Sequence, residues 1–314
     1  MLEKGVLYMV VSASKSKNLL KGKEKFTAGQ LVLHIIFIVL CVLFVYPVLL
    51  TIAASFTDAQ EITVNGYSLI PKKISLAGYK YALQTGSILN AYKVTVVNCV
   101  IGTVLSVFVM LLFAYPISRK DFKQRKLFTL FAYFSTFLSG GLVPWYIVCT
   151  QVIHIGNTFL ALFLPGLVTP MYIIILRTFI SSNVPMEMIE AAKMDGANEY
   201  RIFWQFVLPL AKPGIATIAL FKVLYFWNDY YFPMMLVSDK SLYNLQYYLQ
   251  VMFQNIQVMA EDVMASGSGV ALEDIPAETT RMAMCVLAMG PVLLIYPFFQ
   301  KYFVKGLTIG SVKG

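Results

Sequence analysis

The sequence predicts an all-α, polytopic membrane protein with six transmembrane helices and both termini in the cytosol, and three observations carry that expectation. Hydrophobic residues make up 58% of the 314 and charged residues 13%, too little polar surface to cover a soluble domain of this length. Apolar runs at 31–54, 91–117, 128–152, 157–180, 214–238 and 282–304 approach or exceed the roughly 20 residues that cross about 30 Å of hydrocarbon as a helix. An even number of crossings returns the chain to its starting side. Of the 25 lysines and arginines, Lys72, Lys73, Lys80, Lys240 and Arg281 fall on one face, and Lys93 and Lys222 fall within spans. The rest gather at or beside the termini, the 118–127 loop and the 181–213 loop, which the positive-inside bias places in the cytosol.

The net charge of +9 is therefore a topology signal. It does not point to nucleic acid, which would need a basic soluble face with stacking aromatics. Residues 1–30 read as a cytosolic segment, 31–305 as a six-helix transmembrane domain and 306–314 as a cytosolic tail. Lys15, Lys17, Lys21, Lys23 and Lys25 precede an apolar run about twice the length of a signal-peptide core, so the first run reads as an uncleaved span. Residues 55–90 are too polar to insert and are expected along the outer membrane surface. The turn Arg119-Lys120-Asp121-Phe122-Lys123-Gln124-Arg125-Lys126 reads as an orientation signal and lipid-headgroup contact. Ser139-Gly140-Gly141 and Pro144 interrupt the third span, as a hinge or as close packing through small residues, and either places it inside the bundle. His154-Ile155-Gly156-Asn157 turns the third span into the fourth, and 239–281 is the longest external loop.

Little in the chain suggests catalysis or metal binding. Cys41, Cys99, Cys149 and Cys285 lie in spans without paired spacing and read as small buried hydrophobes. His34 and His154 sit at opposite membrane edges and read as interfacial. No Ser-His-Asp, Cys-His or H-E-x-x-H constellation occurs. G-x-x-x-x-G-K-[ST] is absent too, so an ATP-driven process would need its ATPase on another subunit.

Two places stand out chemically. In the fifth span Lys222, Tyr225, Phe226 and Asp229 recur at helical spacing, with Asn228 beside them. Charges inside a membrane are expected to face the bundle interior or a hydrated cavity, so Lys222, Tyr225, Asn228 and Asp229 are candidates for a translocation pathway or an ion relay. The alternatives are an aromatic belt of Trp227, Tyr230 and Tyr231 and a structural pairing of Lys222 with Asp229 or with a neighbouring helix. The second place is the polar island 190–209, helix-forming on both sides of Gly196 and followed by Pro209 and Pro213. It reads as two short helices with a bend, sealed by the prolines and shaped to dock into a partner.

Glu190-Ala191-Ala192, then Gly196, then Phe206-Val207-Leu208-Pro209 resembles the EAA loop of the membrane subunits of ATP-binding-cassette importers. Phe206 stands where an aliphatic residue is usual. Asp195-Gly196-Ala197, Trp227-Asn228-Asp229 and the ending Gly306-Leu307-Thr308-Ile309-Gly310 narrow the resemblance to the maltose-type carbohydrate uptake permeases, over about residues 30–314. The resemblance implies that 181–213 is a coupling loop, with Glu190, Ala191, Ala192, Asp195, Gly196 and Ala197 meeting a cytosolic ATPase. It also implies a second, unlike permease subunit, two ATPase copies holding ATP and Mg, an extracytoplasmic solute-binding protein and an oligosaccharide cargo. The tip Ser266-Gly267-Ser268-Gly269 of the outer loop would touch the binding protein or serve as a flexible linker. Peptide or amino-acid cargo is the rival within this class, and an ion-coupled secondary transporter the rival outside it.

Overall fold

A computed structural model describes residues 28–84, 87–266 and 277–311. Among these there is no β-strand, and the chain divides into two compact units between Leu50 and Thr51. The described part of the first unit is residues 28–50 of helix α1 (Ala28–Ser55), whose most apolar window has a mean hydropathy of 3.0.

The second unit contains α2 (Ala59–Asn65), α3 (Ala77–Gln84), α4 (Ser87–Ser118), α5 (Arg125–Phe137), α6 (Leu142–Ile147) and α7 (Pro170–Asn183). Beyond them lie α8 (Met186–Met194), α9 (Glu199–Ile202), α10 (Leu208–Asn228), α11 (Tyr231–Leu236), α12 (Leu245–Ser266) and α13 (Ala277–Ser311). Helix α4 is the central post, packed against α7 and α10. Val107, Met110, Leu111 and Ala114 of α4 meet Ile173, Leu176 and Ile180 of α7, and the same apolar cluster takes in Ile189, Ala192, Ile202, Phe203 and Val207. The segment around 186–207 is thus built onto the core of the long helices. Close approach needs small residues here: a Cβ on Gly102 of α4 would lie 2.8 Å from the Phe226 ring, and one on Gly214 2.7 Å from Phe179.

Four helices among the described residues are long and apolar enough to cross a membrane, or five if one bent pair is a single span. Several expected boundaries differ. The 128–152 run is broken as its glycines suggested: α5 and the segment Leu142–Val152 meet at 111°, with Gly141 at φ +83°. The 157–180 run is not one helix but a 3-10 turn at Phe159–Leu162, an irregular stretch through Pro165-Gly166, and the 14-residue α7. Pro170 can start a helix but cannot continue one from upstream, because it lacks the amide donor.

Pro209 and Pro213 do not seal the island. A π turn at Phe203–Val207 joins α9 to α10, with Leu208 N bonded to Phe203 O, and the helical path continues from Glu199 to Asn228. Pro209 falls in the first turn of α10, where a missing N–H is tolerated. The loop 239–281, expected outside, holds a helix of its own, α12, whose Leu245, Leu249, Met252 and Ile256 form a buried stripe. Leu245 N donates to Thr95 Oγ1 of α4 at 2.7 Å. The turn at His154–Asn157 is present, with both named residues at positive φ and Asn157 Oδ1 accepting from Ser238 and Asp239 N–H. Gly267, Ser268 and Gly269, residues 1–27 and the last three of the tail lie outside the described residues; of Ser266 only its place at the end of α12 is described.

Candidate functional site

The island folds as a knuckle of α8 and α9 closed by a specific backbone motif. Gly196 follows α8 at φ +78°, its N–H donates to Lys193 O at 3.0 Å, and Ala197 N–H donates to Ala192 O at 2.9 Å. These two bonds are the Schellman closure, which needs a left-handed residue where Gly196 stands. Asn198 then starts α9, its side chain accepting from Arg201 N at 2.9 Å. A helix stop and a helix start within three residues make the bend.

The candidate coupling residues divide between its two sides. Ala192 is buried and Ala197 half-buried against the apolar cluster, whereas Glu190, Ala191, Asp195 and Gly196 are exposed. The side chains of Glu190 and Asp195 have no hydrogen-bond or ion-pair partner among the described residues. Met194 is 84% exposed and Tyr200 78%. Met194 before the bend and Tyr200 after it are largely bare side chains that the sequence motif did not single out, because neither residue belongs to the spacing.

An ionic cluster ties the knuckle to the end of α4 and the residues just after it. Arg119, 6% exposed, donates from Nη1 to Glu199 Oε2 at 2.6 Å and to Tyr115 Oη at 2.8 Å, and it also pairs with Asp121. Tyr115 Oη donates to the same Glu199 oxygen at 2.8 Å. Lys193 Nζ lies 3.2 Å from Asp121 Oδ2 and 3.1 Å from Glu199 Oε1. Hydrogen bonds from Arg119, then from Lys193, lower the Asp121 carboxyl to about 2. Those to Glu199 and then Asp121 raise the Lys193 ammonium. Arg119 and Asp121 are therefore more than orientation signals.

Of the candidate pathway residues, Lys222 and Tyr225 lie together, whereas Asp229 stands beyond the end of α10. Lys222 is fully buried and donates to Gly166 O at 2.7 Å and Thr169 Oγ1 at 2.8 Å, with the rings of Tyr225, Tyr172 and Phe226 4.9, 5.6 and 5.7 Å away. It braces the irregular stretch before α7 and is not paired with Asp229. Asp229 follows the end of α10, and its Oδ1 accepts from Tyr231 N at 3.0 Å and Phe232 N at 3.2 Å. Tyr225 and Asn228 are exposed, and the Asn228 amide donates back to Leu224 O at 2.8 Å. Trp227 is core and no belt residue: its indole donates to Ala288 O at 3.0 Å. Beyond Asp229, Tyr231 and Phe232 stand over Trp145 at 6.3 and 5.3 Å, lining an open cleft of about 680 Å³ with Ser139, Gly140 and Gly141.

Comparison with known proteins agrees with this architecture. The family described as binding-protein-dependent transport system inner membrane component matches residues 6–309. The polygalacturonan/rhamnogalacturonan transport system permease protein YtcP of Bacillus subtilis (strain 168) is 37% identical over 280 residues, 89% of this chain and 95% of its own. Protein LplC of the same organism is 34% identical over 270 residues, 86% of this chain and 90% of its own. A solved chain from a bacterial ABC transporter involved in the import of the acidic polysaccharide alginate superposes with a TM-score of 0.76 at 24% identity, over 90% of this chain and all of that one. The family's members are transport subunits of the bacterial inner membrane, not enzymes, and this chain belongs to it: it is a binding-protein-dependent transport system inner membrane component.

Proposed function

We propose that this chain is one membrane subunit of an ATP-driven importer of oligosaccharides, working by alternating access. The observation that carries the reading is the knuckle: a Schellman-closed bend, seated on the core of the long helices, presenting Glu190, Met194 and Tyr200 outward. The carbohydrate cargo is supported by the polysaccharide named for YtcP and by the alginate importer that shares the fold.

In this reading the six apolar runs cross the membrane with both termini cytosolic, and the knuckle faces the cytosol. A second, unlike permease subunit completes the pathway, and an extracytoplasmic binding protein delivers the sugar. Two copies of a cytosolic ATPase hold ATP and Mg, and closure of their dimer supplies the stroke. Glu190 fixes the orientation of the docked knuckle, Met194 and Tyr200 provide its apolar contact, and Gly196 sets the bend. Tyr225, Asn228 and Asp229 stand on the pathway, while Lys222 holds the backbone around Gly166. The test is gentle solubilisation of a C-terminally tagged chain from its host. Copurification of a P-loop ATPase and a second multispan subunit supports the reading; recovery of the chain alone, while a control importer stays assembled, removes it.

A further inference from the structure

We infer that Arg119 is a positioning residue that passes displacement of the coupling knuckle to the end of α4, an inference that rests on the importer reading. Both halves of the knuckle are gripped. Lys193, in the last turn of α8, reaches Asp121 at 3.2 Å, and Glu199, the first residue of α9, reaches Arg119 at 2.6 Å. Lys193 and Glu199 also meet each other across the bend at 3.1 Å. The other end of the grip is α4 itself: Tyr115 lies in its last turn and Arg119 directly follows it.

Apolar packing between α4 and the knuckle is non-directional and tolerates sliding, whereas a buried guanidinium bonded to four oxygens on three residues sets an angle. Helix α4 is also the post on which α7 and α10 pack. Force applied at Met194 and Tyr200 therefore reaches the bundle through a joint with defined orientation as well as through the shared core. The docking acid and the transmitting joint are separate: Glu190 is exposed and makes no hydrogen bond or ion pair with the five residues of the cluster.

The experiment uses the whole assembly, this chain with its partner permease, ATPase and binding protein, in proteoliposomes. Arg119→Gln, Glu199→Gln and the conservative variant Arg119→Lys are compared for ATP hydrolysed and for sugar delivered per ATP. Loss of charge-assisted hydrogen bonds should lower sugar per ATP about ten-fold in the glutamine variants while the ATPase stays bound and active. Arg119→Lys, which keeps a cation beside Asp121 and Glu199, should recover part of that ratio. An unchanged ratio in both glutamine variants, or hydrolysis and delivery falling in proportion, overturns the inference. Should Arg119→Gln fail to fold, Glu199→Gln decides, because it leaves Arg119 paired with Asp121. If the wild-type chain proves not to bind an ATPase, the importer reading has failed, and a spin label at position 194 then reads the joint. Faster label motion in Glu199→Gln upholds it, and unchanged motion refutes it.

Discussion

Replacing Gly196 by alanine separates the backbone role of that residue from every packing role. A Cβ built there meets no heavy atom within 4 Å, so the substitution adds no clash. What remains is the left-handed conformation, φ +78°, which disfavours an L-residue by about 1–2 kcal/mol. The two closing bonds, from Gly196 to Lys193 and from Ala197 to Ala192, exist only in that conformation. If a docking-competent knuckle must be closed, the same energy weakens ATPase binding by about 5- to 30-fold. Gly196→Asn should be milder, because asparagine tolerates the left-handed region. Gly196→Pro should be far worse, since proline locks φ near −65° and deletes the donor to Lys193. Binding of the purified ATPase to nanodiscs carrying each variant gives the order directly: wild type, asparagine, alanine, proline. Alanine binding as wild type does, or asparagine binding worse than alanine, would refute the argument that the closure sets the docking shape.

Glu190→Lys should weaken ATPase association by about ten-fold or more while leaving membrane insertion intact, since the side chain has no internal partner to lose; pull-down and membrane fractionation check the two halves. Gly102→Ala should lower the thermal midpoint in detergent, because the new methyl overlaps the buried Phe226 ring, an overpacking of about 1–3 kcal/mol. The ionic cluster makes a pH prediction whose sign differs for its two ends. Asp121 is held below its unfolded value, so its contribution is present above about pH 4 and is lost as pH falls through about 2. Lys193 is held above its unfolded value, so its contribution is present below about pH 10 and is lost as pH rises beyond that. Motion of a label at position 194 should therefore be flat between about pH 5 and 9, and a transition near neutrality would contradict the assignment.

The parts of this molecule that are local in sequence were legible before the structure. The glycine break at 139–141 and the bend at Gly196 follow from neighbouring residues, and the structure shows both, while four of the apolar runs, or five with the bent pair, are helical over a membrane-crossing length among the described residues. Proline was harder to read. Pro209 looks like a terminator, but a π turn upstream places it in a first helical turn, where it is harmless; Pro165 and Pro170 do break the fourth run, which hydropathy alone had smoothed over. Helix α12 escaped because a half-polar amphipathic helix in an outer loop carries no membrane signal. The side-chain networks were out of reach for a different reason. Arg119 and Glu199 are 80 positions apart, and the acceptors of Lys222 are a backbone carbonyl and a threonine hydroxyl more than 50 positions upstream. Helical spacing suggested Asp229 as the partner of Lys222, but the chain leaves the helix there and turns the carboxylate to the next two amides.

The most direct measurement is oligosaccharide uptake into proteoliposomes holding this chain with its partner permease and ATPase, supplied with the loaded binding protein outside and ATP inside. Uptake that needs all of these, and that stops when the knuckle is altered at Glu190 or Gly196, is the expected result. Uptake by this chain alone, driven by a proton or sodium gradient and indifferent to ATP, would contradict the account.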